Sequence, residues 1–393
     1  MKIAIISDLH FGDSSSKFVN QDGVFDSKLA YFEFKKGLKF LLKDNIEPLD
    51  YLILNGDILD FSINSFTNSF KIAKPFFEQL SKDRICKNII YIPGNHDHAI
   101  WEAAEWDNHI LSNLNNYENP DQYKHTQCGI LDLNETLILP EVNKEYGNFF
   151  IKGLFDSKES EIPIAIVYPN LYIKTETENI IVTHGHFFEL NWCLMSYLFA
   201  NSQELNIPKL SSLKDIEEFN SPIISLICTG VGEGGAITDL IYKIQQELKQ
   251  NNFNLLNKVF NKIFNTLFYL PWYLKPFNII IKNILKIFIN TFATTLVTNR
   301  NNIDFLSDSI VFQLMKNFLL LSRSDYTIYH QLQNFNPTSL IFGHTHVPTI
   351  NNNFDIKKEL QDKMKIYNTG GWLKETNATI ILIDNKKILG LTI

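Results

Sequence analysis

The chain has 393 residues, 45% of them hydrophobic and 20% charged, with a formal net charge of −7 at pH 7. That is the composition of an ordinary globular protein, long enough for one large domain or for one domain with a sizeable insertion. The acidic balance and the presence of only three arginines, Arg84, Arg300 and Arg323, argue against a general nucleic-acid surface, which usually shows a basic footprint.

In chain order, Lys2–Ile6 reads as a buried strand running into Ser7-Asp8-Leu9-His10. Asp8 and His10 are two apart and point to the same side of an extended segment, where a carboxylate and an imidazole can hold a metal ion. A polar loop follows, and then the spacing predicts a helix over Leu29–Leu42, with Leu29, Phe32, Leu38, Leu41 and Leu42 on one stripe. Asp50–Leu54 is a second strand, ending in Asn55-Gly56-Asp57-Ile58-Leu59-Asp60. A helix over Phe70–Leu80 leads to a third strand, Ile89–Ile92, which ends in Pro93-Gly94-Asn95-His96-Asp97. Three strands with helices between them thus each end in a polar cluster, the place where open α/β sheets hold their ligands.

His98, Glu102 and His109 read first as surface residues of a following helix and second as residues that approach the site. Residues 149–182 read as strands with turns at Asp156–Glu161 and Thr175–Asn179, the last strand ending in His184-Gly185-His186. From Phe187 to about Phe335 the patterns become long and helical. Ser339–Phe342 is a strand entering Gly343-His344-Thr345-His346, and Lys365–Thr369, Thr379–Asp384 and Lys387–Ile393 read as closing strands.

Cys86, Cys128, Cys193 and Cys228 form no C-x-x-C pair, which argues against a disulfide framework or thiolate zinc site and fits a reducing compartment. Met1 leads directly into a strand with no charged-then-apolar segment, so a cytoplasmic protein is expected.

Any one of these histidines or aspartates would be ordinary on a surface; five strand-end clusters of this chemistry in one chain are hard to explain as solvated turns. Together they resemble the calcineurin-like metallophosphoesterases, whose pattern is D-x-H, G-D-x-x-D, G-N-H-D/E, an H-G or G-H element and G-H-x-H. Here the elements are Asp8-Leu9-His10, Gly56-Asp57-Ile58-Leu59-Asp60, Gly94-Asn95-His96-Asp97, His184-Gly185-His186 and Gly343-His344-Thr345-His346, in that order. The resemblance covers roughly residues 1–190 and 336–393. It implies an α/β fold with a central β-sandwich flanked by helices. It also implies two divalent metal ions, with Mn²⁺ the first choice and Fe, Zn²⁺ or Ni²⁺ as alternatives. One ion would be held by Asp8, His10, Asp57 and His346 and the other by Asp57, Asn95, His184 and His344, with Asp57 bridging. The implied reaction is hydrolysis of a phosphomonoester, phosphodiester or pyrophosphate by a metal-bridged hydroxide. His96 would serve the leaving group and Asp60 would fix its ring. His186 is open between a substrate contact and a supporting role, and Asp97 and His98 read as structural.

Residues 191–335 would be a helical insertion placed above the site as a cap or lid. Its stretch 252–300 is aromatic and basic, with no Asp or Glu between Glu247 and Asp304 and with Pro271 and Pro276 breaking it into two helices. Its readings are a helical hairpin packed on the core, which is favoured, or an amphipathic pair at the inner face of a membrane. The placement resembles the helical insertion of UDP-2,3-diacylglucosamine pyrophosphatases, from which this chain departs by His96, where they carry Arg, and by His-Gly-His, where they carry His-Gly-Asp. The expected partner is a phosphorylated small-molecule or lipid-linked substrate, with nucleic acid as a lesser option. A nuclease of the same superfamily and a non-catalytic metal-binding scaffold are the alternatives. Thr229-Gly230-Val231-Gly232-Glu233-Gly234-Gly235 reads first as a hinge or lid turn and second as a phosphate contact.

Overall fold

The structure is a computed structural model that describes all residues except 44–46, 134–150, 156–160, 190–191, 194–195, 197–211, 268–281, 284–285, 287–289, 291–308, 325–334, 356–362 and 385–386. Its twelve described strands are β1 (Lys2–Ile6), β2 (Leu49–Leu54), β3 (Cys86–Tyr91), β4 (Gly129–Asp132), β5 (Ile164–Ile166), β6 (Asn170–Lys174), β7 (Asn179–Thr183), β8 (Ser339–Phe342), β9 (Thr349–Asp355), β10 (Lys363–Asn368), β11 (Thr379–Asp384) and β12 (Lys387–Thr392). They form two mixed six-stranded sheets, ordered β12-β11-β1-β2-β3-β5 and β4-β6-β7-β8-β10-β9.

The near-continuous apolar runs of the strands follow from burial on both faces. Ile3 and Ile5 of β1, Ile53 of β2 and Ile90 of β3 point between the sheets, where they meet Leu171, Ile173, Ile180, Val182 and Ile341. Alternate residues, such as Ala4, Ile6, Leu52 and Leu54, face the helices instead. β1, β2 and β3 are parallel and in register, with Ile5 opposite Ile53 and Ile53 opposite Ile90. Their carboxyl ends therefore come out side by side.

Two helices cover the outer face of the first sheet, α1 (Ala30–Leu41) and α2 (Phe66–Lys82). The buried stripe of α1 is Tyr31, Phe34, Leu38 and Leu41. Leu29 and Phe32, expected on that stripe, are 39% and 57% exposed. The i, i+3, i+4 row that meets the sheet begins at Tyr31, and Phe32 is one residue, about 100° around the helix, away from it. Phe76 of α2 centres an aromatic cluster with Phe11, Phe18, Phe25 and Tyr31.

The helix α3 (Ala99–Glu105) and a π-helical turn over Trp106–Leu111 depart from the sequence reading. His98 and His109 are buried rather than on the surface, and Glu102 is partly buried. For His98 and Glu102 the reason is a helix from far along the chain, α4 (Leu213–Gly232), which lies against α3. Glu102 accepts hydrogen bonds from Ser225 and, at 2.7 Å, from Thr229 of α4. His98 sits between Glu102, at 3.5 Å, and the buried Glu217 of α4, at 3.8 Å. Burial pulls the His98 pKa down, but the two carboxylates outweigh it and hold it up at about 9.

α4 is the first of four described helices, with α5 (Ala236–Lys249), α6 (Asn254–Leu267) and α7 (Ser309–Ser324), that occur in the chain between β7 and β8. β7 and β8 nevertheless pair directly, with Ile180 opposite Ser339. The chain leaves the second sheet and returns to it one strand over. The Gly-rich stretch is split by this arrangement. Thr229–Gly232 ends α4, and Gly234 and Gly235, at φ 86° and 95°, make the turn into α5. A Cβ on Gly232 would lie 2.8 Å from Phe66 Cζ and nearer still to Cε1, so glycine lets α4 close on the start of α2. Phe318 of α7 stacks on Phe187 at 5.4 Å and 18°. No described helix is long and apolar enough to cross a membrane. Of the aromatic stretch, Tyr269, Pro271, Trp272, Tyr273 and Pro276 lie outside the described residues.

Glu105 closes α3 as a buried carboxyl whose Oε2 accepts the Lys124 N–H at 3.0 Å and whose Oε1 lies 3.5 Å from His109. Burial raises its pKa to about 7 from 4.5, against the opposing Lys124. The folded state therefore holds this proton more tightly than the unfolded state. Its contribution is fully present below pH 4.5 and is lost as pH rises through about 7. Glu105→Gln should match wild type in urea unfolding at pH 4 and exceed it by about 1–3 kcal/mol at pH 8. Equal stability at both pH values would show the carboxyl to be solvated.

Candidate metal centre

The polar clusters at the ends of β1, β2, β3, β7 and β8 meet at one end of the sandwich. The loops after β1 and β2 go on pairing as the strands did: Asp8 donates to the Gly56 carbonyl, His10 to that of Asp57 and Phe11 to that of Ile58, at 2.8–3.0 Å. Asp8, His10, Asp57, His344 and His346 all adopt left-handed backbone, φ 51° to 62°. Side-chain-bearing residues rarely do so, at a cost of roughly 1–2 kcal/mol each. Only four other described non-glycine residues share that conformation, none of them in this cluster. Such concentrated strain marks a place where side-chain direction matters more than backbone ease.

Two groups of side chains result, each with its ligand atoms within 4.8 Å of one another: Asp8, His10 and His346, and Asp57, His184 and His344. In the first, His346 Nε2 lies 3.1 Å from Asp8 Oδ1 and 3.1 Å from His10 Nε2. In the second, His184 Nε2 lies 3.2 Å from Asp57 Oδ2. Asp57 also reaches toward the first group, with His10 Nε2 3.9 Å from its Oδ2, and it accepts the His96 N–H at 2.9 Å. A third group, His10, Asp60 and His96, overlaps the first. Asp60 divides its oxygens: Oδ2 holds His10 Nδ1 and Oδ1 holds His96 Nδ1, both at 2.9 Å. Asn95 is fully buried in the turn that carries His96.

These residues suit divalent cations on their own geometry. Two imidazole nitrogens facing each other at 3.1 Å can share one proton at most, and here both also face a carboxylate oxygen. Asp8, Asp57 and Asp60 are each at most 1% exposed. Burial by itself would raise all three pKa values, but neighbouring histidines prevail. His346 and His184 hold Asp8 below the usual range, and His184 and His96 hold Asp57 well below it. His96 and His10 do the same for Asp60. Burial pulls His184 down, and the Asp57 and Asp8 charges overcome it, up to about 9. The negative charge that Asp57 and Asp8 set against this imidazole is what a divalent cation would meet there.

His186 is fully buried, stacked on Tyr168 and hydrogen-bonded to its hydroxyl at 3.2 Å, which gives it a supporting position. Asp97 is structural. Its carboxylate accepts the backbone N–H groups of Gly94 at 2.6 Å and Ile58 at 2.8 Å, locking the β2 and β3 loops together. Sequence reasoning missed three groups. Ser62 Oγ sits 2.6 Å from His96 Nδ1. The Asn55 carbonyl accepts from His184 Nδ1 at 2.9 Å. Glu189 Oε2 lies 2.7 Å from His344 Nε2. Ser62, two residues past Asp60, carried a proximity signal; a backbone carbonyl and a glutamate beyond the last His-Gly-His residue carried none.

A family model for calcineurin-like phosphoesterases matches residues 1–224, more than half of the chain. No curated protein matches the chain.

The closeness of the β2 and β3 loops makes Gly94 a sensitive position. A Cβ there would stand 2.8 Å from the Asp57 backbone nitrogen and 2.8 Å from His184 Cδ2. Gly94→Ala should weaken divalent-metal binding, followed by equilibrium dialysis with Mn²⁺ as the probe, by about tenfold or more. Wild-type affinity in the variant would mean that the loops have room the packing denies.

Proposed function

The chain belongs to the calcineurin-like phosphoesterase family, and from that premise we propose that it hydrolyses a phosphoester at a pair of divalent ions. The observation that carries this reading is the separation of the site into two adjoining acid–imidazole groups with Asp57 between them. Asp8, His10, Asp57 and His346 would hold one ion, and Asp57, Asn95, His184 and His344 the other. Mn²⁺ is the first choice, although imidazole, carboxylate and amide ligands suit Fe, Zn²⁺ and Ni²⁺ as well. Such a pair supplies charge to a phosphoryl oxygen, acidifies water and offsets the charge that develops on the leaving oxygen.

The protein's own groups would do the rest. His96 is the proton donor to the leaving oxygen. Its Nδ1 is held by Asp60 and Ser62, so Nε2 is the nitrogen presented to substrate. Its ring is 13% exposed, which keeps it reachable from solvent. Asp60 couples the donor to the ion site, because the same carboxylate orients His10. Asp57 fixes the backbone of His96 through its N–H.

The insertion, residues 191–335, is read as a cap over this site. The acid-free stretch between Glu247 and Asp304 is the feature that favours a phosphorylated lipid-linked substrate alongside small molecules. The net charge of −7 disfavours nucleic acid.

Purified protein with Mn²⁺ should hydrolyse a generic aryl phosphate monoester or diester. Asp57→Ala should abolish turnover, and His96→Ala should lower kcat by about 10²–10⁴-fold. Bound Mn²⁺ with no turnover on any monoester, diester or pyrophosphate would favour a scaffold, and cleavage of DNA or RNA alone would favour a nuclease. For the lipid-linked reading, anionic vesicles should sediment the protein and neutral vesicles should not. Equal recovery in both supernatants would remove it.

A further inference from the structure

The histidines of the site share a pattern. His10 commits Nδ1 to the Asp60 carboxylate at 2.9 Å and turns Nε2 toward Asp8, Asp57 and His346. His184 donates Nδ1–H to the Asn55 carbonyl at 2.9 Å and turns Nε2 toward Asp57 at 3.2 Å. Fixing one nitrogen with an acceptor selects the tautomer and leaves the lone pair of the other to face the site. His344 is arranged the other way round. Its Nε2 is the committed nitrogen, held 2.7 Å from Glu189 Oε2.

We propose that Glu189 is a positioning residue for His344: its carboxylate accepts Nε2–H, leaving Nδ1 as the nitrogen His344 offers to the ion beside Asp57 and His184. This rests on the two-ion reading above and adds a residue that no motif contains. Glu189 lies three residues past His186, at the end of the short 3-10 turn His186–Phe188. That turn is held by the backbone bond from Glu189 N–H to the His186 carbonyl at 3.1 Å. The aromatic side chains of the same turn are packed: Phe188 lies edge-on to Phe342, the residue before Gly343-His344, at 5.5 Å. The carboxylate that holds His344 is thus set by the two strand ends that also supply His184 and His344.

A carboxylate does more at this position than the carbonyl that serves His184. As a carboxylate partner on the outer nitrogen, it orients the ring and strengthens the inner nitrogen as a ligand. Glu189 is 28% exposed at its side chain, so the charge is not so deeply buried that removing it should unfold the protein. The expected penalty falls on one ion. His10, Asp8 and His346 have their own partners and should not respond.

The test is Mn²⁺ binding to the full-length protein by calorimetry and equilibrium dialysis, with electron paramagnetic resonance to report spin coupling between neighbouring ions. Wild type should bind two ions and show a coupled pair. Glu189→Ala should bind the first ion as wild type does and the second about 10–100-fold more weakly, with loss of the coupled signal at limiting Mn²⁺. Glu189→Gln, whose amide oxygen still accepts Nε2–H, should fall between the two. Two ions bound with wild-type affinity in Glu189→Ala would overturn the assignment of Glu189. Equal weakening of both ions would also overturn it, since that outcome reports general damage to the site. A wild-type protein that binds one ion or none would instead remove the two-ion reading on which it rests.

Discussion

Three carboxylates, Asp8, Asp57 and Asp60, are buried at the end of the sandwich where its two sheets meet. Carrying charge there is expensive unless every oxygen is matched. Much of the surrounding structure is a response to that cost. His10 and His96 take the two oxygens of Asp60. His184 and the His96 N–H take those of Asp57. His346 and the His344 N–H take Asp8, with Ser7 beside it. These partners come from the ends of β1, β3, β7 and β8, so the carboxylates can be satisfied only when both sheets are formed and aligned. Asp97 does the same service for the backbone, taking the N–H groups that the tight β2 and β3 turns leave over.

The ligand candidates were legible because a strand end writes itself twice in a sequence, once as an apolar run and again as the polar residues that follow. Lys2–Ile6, Ser339–Phe342 and Thr379–Asp384 have the bounds expected of them, and the family pattern added their order. What could not be read was any interaction whose second partner carries no signature. Glu189 is one glutamate among many, and the Asn55 carbonyl is only backbone. On α1, Leu38 and Leu41 pack as expected, and Leu29 and Phe32 do not, a distinction hidden by their being as apolar as the residues that pack. His98 and Glu102 read as surface because Glu217, Ser225 and Thr229, which cover them, arrive more than a hundred residues later.

That late-arriving helix also bears on how the excursion between β7 and β8 is attached. α4 meets the side of the molecule that holds the acid–imidazole groups through two kinds of contact. One is close packing, with Gly232 against Phe66. The other is polar, with Glu217 and Glu102 around His98, two residues from His96. α7 adds a stacked aromatic contact on Phe187, directly after His184-Gly185-His186. α4 and α7 are therefore fastened to the two turns that carry His96 and His184.

His96 and His98 show how far environment, not residue type, decides what a histidine does. They share one turn. His98 has no exposure and lies between two carboxylates, which hold its proton through the neutral range. A group in that state is fastened in place and has no route to a substrate. His96 has one nitrogen tied to Asp60 and Ser62 and its ring 13% exposed, the condition of a group that can be oriented and still exchange protons. Trp192 stands 6.5 Å from its ring, at the start of the excursion. The second oxygen of Asp60 is matched by His96, a histidine outside both ion groups, and by the Ser62 hydroxyl at 2.7 Å, so one buried carboxylate ties the exposed ring to the ring of His10.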